Sequence, residues 1–204
     1  PELHVARDGE DFSIRALRAI WSEFSRVAAT NTNPEHPATV THYAEKVEQW
    51  VVDFLLTVGP LQSIVLVRDP RDIWLSLASF TDDASAFGRT ASQSDEEWLE
   101  TFIARSRQHL ERVVQLPESE TFTTVRYEDL AADPRPHVER LSNWLGIELD
   151  TSMVDSMRTK MATHITSGSA RNSVARWKRE MDAALRTRFE DRIGSQLTAA
   201  GYEV

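Results

Sequence analysis

An α/β fold with a parallel sheet is what this sequence predicts, on three observations. Ile64-Val65-Leu66-Val67 is an unbroken apolar run of the kind a parallel strand covered on both faces requires. Asp69-Pro70 follows it at once, a helix cap and a first helical residue whose missing N–H costs nothing. A second β-rich run, Thr121 to Arg126, is flanked on both sides by segments of helical period. Strands that alternate with helices in this way make a three-layer sandwich, with residues 1–204 as one domain.

Leu3 to Ala6 reads as a short strand. From Asp11 onward Leu17, Trp21, Phe24 and Ala28 follow helical spacing, and the helix ends at the turn cluster from Asn31 to Pro37. Ala38 to His42 is a second strand or an extended loop. Val47, Trp50, Val51, Phe54, Leu55 and Val58 share one helical face, which Gly59-Pro60 terminates. After the Ile64–Ser76 segment, Thr81 to Ser94 is polar and aperiodic: an acceptor-recognising loop or lid, or a plain surface connection. Ser94 or Asp95 then caps a long helix carrying Leu99, Phe102, Ile103, Ser106, Leu110 and Val113. Asp133-Pro134 opens another, with His137, Val138, Leu141, Trp144 and Leu145 on one face and Gly146 at its end. Helices fill most of the remainder, interrupted by a loop from Thr166 to Ser173.

Composition narrows the function classes. With 41% hydrophobic and 27% charged residues the chain is an ordinary globular protein, and no apolar run is long enough for a membrane span. A formal net charge of −9 argues against nucleic acid as the main partner, because duplex binding needs many phosphate-neutralising cations. There is no cysteine, which excludes disulfides and thiolate metal sites and suits a cytoplasmic location. His36, His109, His137 and His164 stand alone, without metal-ligand spacing.

The chemistry concentrates around Arg68. This arginine ends the apolar strand, and Asp69, Asp72 and Ser76 recur at i, i+3 and i+7, so Ser76 faces back toward the strand end. Open α/β sheets hold ligands at such strand ends. A guanidinium and a hydroxyl there make a phosphate pocket, provided Asp69 or Asp72 does not neutralise the arginine first. Arg171, Arg176 and Lys178 are further cations able to converge from a distance, whereas Arg71 and Arg179 read as solvated surface charges.

The arginine followed eight residues on by a serine resembles the 3′-phosphate-binding segment of the PAPS-dependent sulfotransferases. Arg126-Tyr127-Glu128-Asp129-Leu130, with Asp133-Pro134 after it, is similar to that family's R-Y-E-D-L-x-x-x-P element. The stretch from Ser167 to Lys178 is similar to the C-terminal donor-binding loop of its bacterial members. The resemblance implies a P-loop NTPase-like arrangement and a donor site of Arg68, Ser76, Arg171, Ser173 and Arg176. Asn172 and Ser173 stand where cytosolic members carry lysine and glycine. None of the seven glycines forms a G-x-x-x-x-G-K-[ST] loop, so the family's opening strand and 5′-phosphosulfate loop are expected to be missing, and the domain to be a partial one.

The implied reaction moves a sulfuryl group from 3′-phosphoadenylyl sulfate (PAPS) to the hydroxyl or amine of a small-molecule or glycan acceptor. It needs no metal and leaves adenosine 3′,5′-bisphosphate. Lys46 resembles the family's charge-stabilising lysine, although Val47 and Glu48 replace its usual threonine and proline. His42 and Glu45 are rival bases. The Glu45-Lys46 pair also reads as an exposed first helical turn, and Tyr127, Glu128 and Asp129 as residues that fix a turn. The alternatives are a binding module on the same fold without its phosphate loop, and a small-molecule kinase, for which no Mg²⁺-holding element is present.

Overall fold

The computed structural model describes residues 61–78, 92–116, 118–149 and 171–204 continuously, with residues 15, 19, 20, 22–24, 26, 27, 30, 31, 42, 44, 46, 47, 89 and 169 besides. The chain divides into two compact units, Pro1–Ser63 and Ile64–Val204. In the first, every described position from 15 to 31 is helical, as the spacing predicts, and Arg26 forks onto Glu23 at 2.6 and 2.8 Å. The expected strands at 3–6 and 38–42 and the expected helix at 47–58 lie outside the described residues, except that His42 and Val47 are irregular.

The second unit is mixed α/β around a small parallel sheet. Its two described strands, β1 (Ser63–Val67) and β2 (Phe122–Arg126), are direct neighbours. Helix α1 (Pro70–Ala78) follows β1, and α2 (Asp95–Gln115) leads toward β2. Then come α3 (Tyr127–Ala132), α4 (Arg135–Leu145), a single 3₁₀ turn at Arg171–Ser173, α5 (Trp177–Glu180) and α6 (Ala183–Ala199). The described residues cover β1 on one face only. Val67 is buried, whereas Ile64 and Leu66 on the other face are 43% and 53% exposed, against the two-sided burial the apolar run suggests.

Local chemistry sets the helix ends. Asp69 Oδ1 accepts the Arg71 N–H at 2.9 Å, so Asp69 caps α1 with Pro70 as its first residue. Ser94, not Asp95, caps α2: Ser94 Oγ takes the Glu97 N–H and the Glu97 carboxylate takes the Ser94 N–H, a reciprocal capping box. Asp182 caps α6 through the Leu185 N–H at 2.9 Å.

Helix α4 stops at Gly146, whose φ of 69° is left-handed, while the Ile147 N–H reaches back to the Ser142 carbonyl. A Cβ at Gly146 would meet nothing within 4 Å, so Gly146→Ala tests the backbone conformation alone. The expected loss is about 1 kcal/mol, the cost of a left-handed L-residue. A urea midpoint equal to that of the parent would contradict this account of the helix end.

The core is the seam between α2 and α6. Leu99, Ile103 and Leu110 meet Phe189, Ile193 and Leu197, which recur every fourth residue along α6. Val67, Trp177, Met181 and Tyr202 complete it, and Trp74 ties α1 in, with its ring 4.7 Å from Trp98 and 5.3 Å from Phe102. This packing fixes β1 and α1 against the chain's last helices, and so holds the Arg68 corner in place.

Candidate anion-binding corner

β1 delivers its last side chains to a corner formed with the start of α3. The Asp69 N–H donates to Glu128 Oε1 at 2.9 Å, and Tyr202 hydroxyl approaches Glu128 Oε2 at 3.4 Å. Glu128 thus ties the end of β1 to the end of β2, rather than fixing its own turn as the sequence suggests. The parallel register explains this, since residues just beyond two adjacent parallel strands emerge side by side.

Two adjacent arginines compete for one aspartate, and Arg71 takes it. Its Nε and Nη2 clasp the two oxygens of Asp69 at 3.0 and 2.8 Å, Nη2 also donates to the Glu203 carbonyl, and the plane lies 3.5 Å from the centre of the Trp177 ring. Arg71 is fully buried, so the expectation of a solvated charge is wrong for it. Helix geometry turns the second residue of α1 inward. The i+2 fork to the cap is sterically easy, but the sequence does not reveal which arginine makes it. Arg179 is exposed, as expected.

Arg68 consequently makes no ion pair among the described residues, although its charge acts on nearby Asp72. Its Nη2 donates to the Ser173 carbonyl at 3.0 Å, and its guanidinium sits 4.3 Å over the Tyr127 ring. Its Nε is buried and makes no hydrogen bond among the described residues. A guanidinium offers five N–H donors. With one on a carbonyl and a face on an aromatic ring, it is held in a fixed orientation and keeps N–H donors that no described residue takes.

The C-terminal loop closes over this corner. Tyr127 hydroxyl and Ser173 Oγ are 2.7 Å apart, and Ser173 is buried. Arg171 is exposed and donates to the Ala132 carbonyl at 2.8 Å. Ala175 adopts a left-handed φ of 54°, a strained conformation for a residue with a Cβ. Trp177 N–H donates to Asp72 Oδ1 at 2.9 Å. Asp72 is buried, its Oδ2 lacks a partner among the described residues, and burial pushes its carboxyl above the usual range. The Trp177 amide opposes that rise, Asp69 adds to it, and the Ala175 amide and Arg68 pull it back down.

The structure therefore groups Arg68 with Ser173, and brings Tyr127 and Asp72, which sequence reasoning did not put forward, into the same corner. Ser76 is half-buried on the second turn of α1. Arg176 is buried too, but its Nε and Nη2 both bind Glu180 Oε2, at 3.0 and 2.7 Å, so much of its charge is already committed. His42 and Lys46 are exposed and irregular in the first unit, and Glu45 lies outside the described residues.

Comparison with known families shows that the model of the sulfotransferase domain aligns with residues 55–201, well over half of the chain. Comparison with curated proteins gives no match. The aligned stretch contains Arg68, Asp69, Arg71, Asp72, Tyr127 and Glu128 and the 171–177 loop.

Proposed function

Because the chain belongs to the sulfotransferase domain family, we propose that it carries a sulfuryl group from PAPS to an acceptor hydroxyl or amine and releases adenosine 3′,5′-bisphosphate. The observation that supports this reading best is Arg68, a charged, oriented guanidinium with a buried donor to spare, its neighbouring acid claimed by Arg71. A phosphate answers that chemistry, since charge-assisted bonds to arginine are the strong ones. Ser76 supplies a hydroxyl from α1, Arg171 a second cation from the loop, and Ser173 and Arg176 the loop's frame.

Lys46 is proposed to steady the charge that develops between the moving sulfuryl and the leaving phosphate, with His42 or Glu45 taking the acceptor proton. The acceptor is a small molecule. A cytoplasmic setting fits a chain without cysteine, and no helix among the described residues is long and apolar enough to cross a membrane.

Turnover tests the proposal. The protein is incubated with PAPS and a panel of phenols, alcohols and amines, and adenosine 3′,5′-bisphosphate and sulfated product are followed by mass spectrometry. Product from at least one acceptor class is expected. Nucleotide binding with no transfer would leave a binding module, and Mg²⁺-dependent ATP turnover would replace the reading with a kinase. Lys46→Ala should lower kcat by about 10²–10³ and leave donor affinity nearly intact, as for loss of one transition-state contact. His42→Ala and Glu45→Gln, assayed side by side, identify the base: only one of them should abolish the acidic limb of the pH–rate profile, where a general base loses its activity by protonation.

A further inference from the structure

Asp72 is an unusual residue to find at this corner. It is a carboxylate only 1% exposed, three residues from the cap of α1, beside a site that must attract anions. A buried negative charge next to a phosphate ligand is costly twice over, through its own desolvation and through repulsion of the ligand. Arg71 does not offset it, since that guanidinium is bound to Asp69, and Arg68 does so only in part, because the Asp72 carboxyl stays above the usual range. What Asp72 does hold is the backbone of the C-terminal loop: its Oδ1 accepts the Trp177 N–H at 2.9 Å. Ala175, two residues before Trp177, adopts the left-handed φ of 54°, so the strained backbone of this loop lies next to the bond that Asp72 accepts.

We propose that Asp72 is a positioning residue that latches the 171–177 loop onto the strand end, so that the Ser173 carbonyl meets Arg68 and the loop's arginine stands ready before any nucleotide arrives. The inference rests on the reading of Arg68 as a phosphate ligand. The latch has three points, all on one short loop: Ser173 carbonyl on Arg68, Ser173 Oγ on Tyr127, and Trp177 N–H on Asp72. The first two bear on the front of the loop and the third on its root. Asp72 acts as a hydrogen-bond acceptor here, not as a charge, so an amide of the same shape can replace it.

Amide hydrogen exchange and calorimetry with adenosine 3′,5′-bisphosphate test this together. In the unmodified protein without nucleotide, the Trp177 amide should exchange as slowly as amides inside α6, because it is buried and bonded. Asp72→Ala should speed it at least about tenfold with α6 unchanged, and weaken the bisphosphate by about tenfold, one hydrogen bond's worth of order. Asp72→Asn should keep Trp177 protected and the affinity within about threefold. A Trp177 amide as slow in Asp72→Ala as in the parent overturns the latch, as does an Asp72→Asn protein as impaired as Asp72→Ala.

Should Asp72→Ala fail to fold, two readings remain. Free-loop exchange of Trp177 in the unmodified protein, or a tenfold loss in Asp72→Asn, contradicts the proposal, and slow exchange with retained affinity supports it. If the unmodified protein does not bind the bisphosphate at all, the donor reading fails, while the exchange data still decide whether the loop is latched.

Discussion

Arg71→Met should lower the melting temperature by about 6–20 °C. Arg71 is entirely shielded from solvent and clasps Asp69 through two nitrogens. Methionine keeps much of the side-chain volume but strands the Asp69 carboxylate, which is itself only 4% exposed. Breaking a buried pair from one side costs about 3–5 kcal/mol, and each kcal/mol moves the transition of a chain this size by about 2–4 °C. The double change Asp69→Asn with Arg71→Met should recover most of the loss. Asparagine still caps α1, and removing both charges also removes the penalty of an unpaired one. A thermal melt of the single variant within 2 °C of the parent, or a double variant no better than the single, would show that the pair does not anchor the corner.

Arg68→Ala should leave the fold nearly intact and strike the donor. No carboxylate among the described residues makes an ion pair with Arg68, whose charge has only the smallest influence on buried Asp72, and the Ser173 carbonyl it satisfies lies at the loop. The loss falls on the phosphate instead. A hydrogen bond to a charged group contributes about 1.5–3 kcal/mol, which is about 10- to 150-fold in affinity. Arg68→Lys should recover only part of this, because a lysine keeps the charge but neither the planar fork nor the flat face that lies on Tyr127.

How far the sequence could be read depended on whether the governing interaction is local. The apolar run of β1, the Asp69-Pro70 cap, the Ser94 capping region, the periodic faces of α2 and α4 and the Gly146 stop all depend on neighbours within a few residues. Each stands in the structure close to where its pattern places it. Arg71 was misread because its fate is set by Trp177 and Glu203, more than a hundred residues away. Glu128 was misread for a similar reason: its partner is an N–H on the adjacent strand's end, and only parallel pairing of β1 with β2 brings them together. Tyr127, Glu128 and Asp129 read as residues that fix a turn, and Tyr127 to Ala132 is instead a helix starting directly from the strand. The openness of the Ile64–Leu66 face could not be read either, since an apolar run records what a strand can bury and not what lies over it. Of the candidate site, Arg68 was legible from its place at a strand end. Tyr127 and Asp72 were not, because their roles consist of contacts with the distant 171–177 loop.

The most direct test of the claim that Arg68 reads a 3′-phosphate is a calorimetric cycle with two nucleotides, adenosine 3′,5′-bisphosphate and adenosine 5′-monophosphate. In the unmodified protein the bisphosphate should bind tighter by about 10- to 150-fold, the worth of one charge-assisted contact. In Arg68→Ala that preference should vanish, with the monophosphate bound equally by both proteins. A preference of the same size in both would mean that the 3′-phosphate is held elsewhere, and the account of this corner would be wrong.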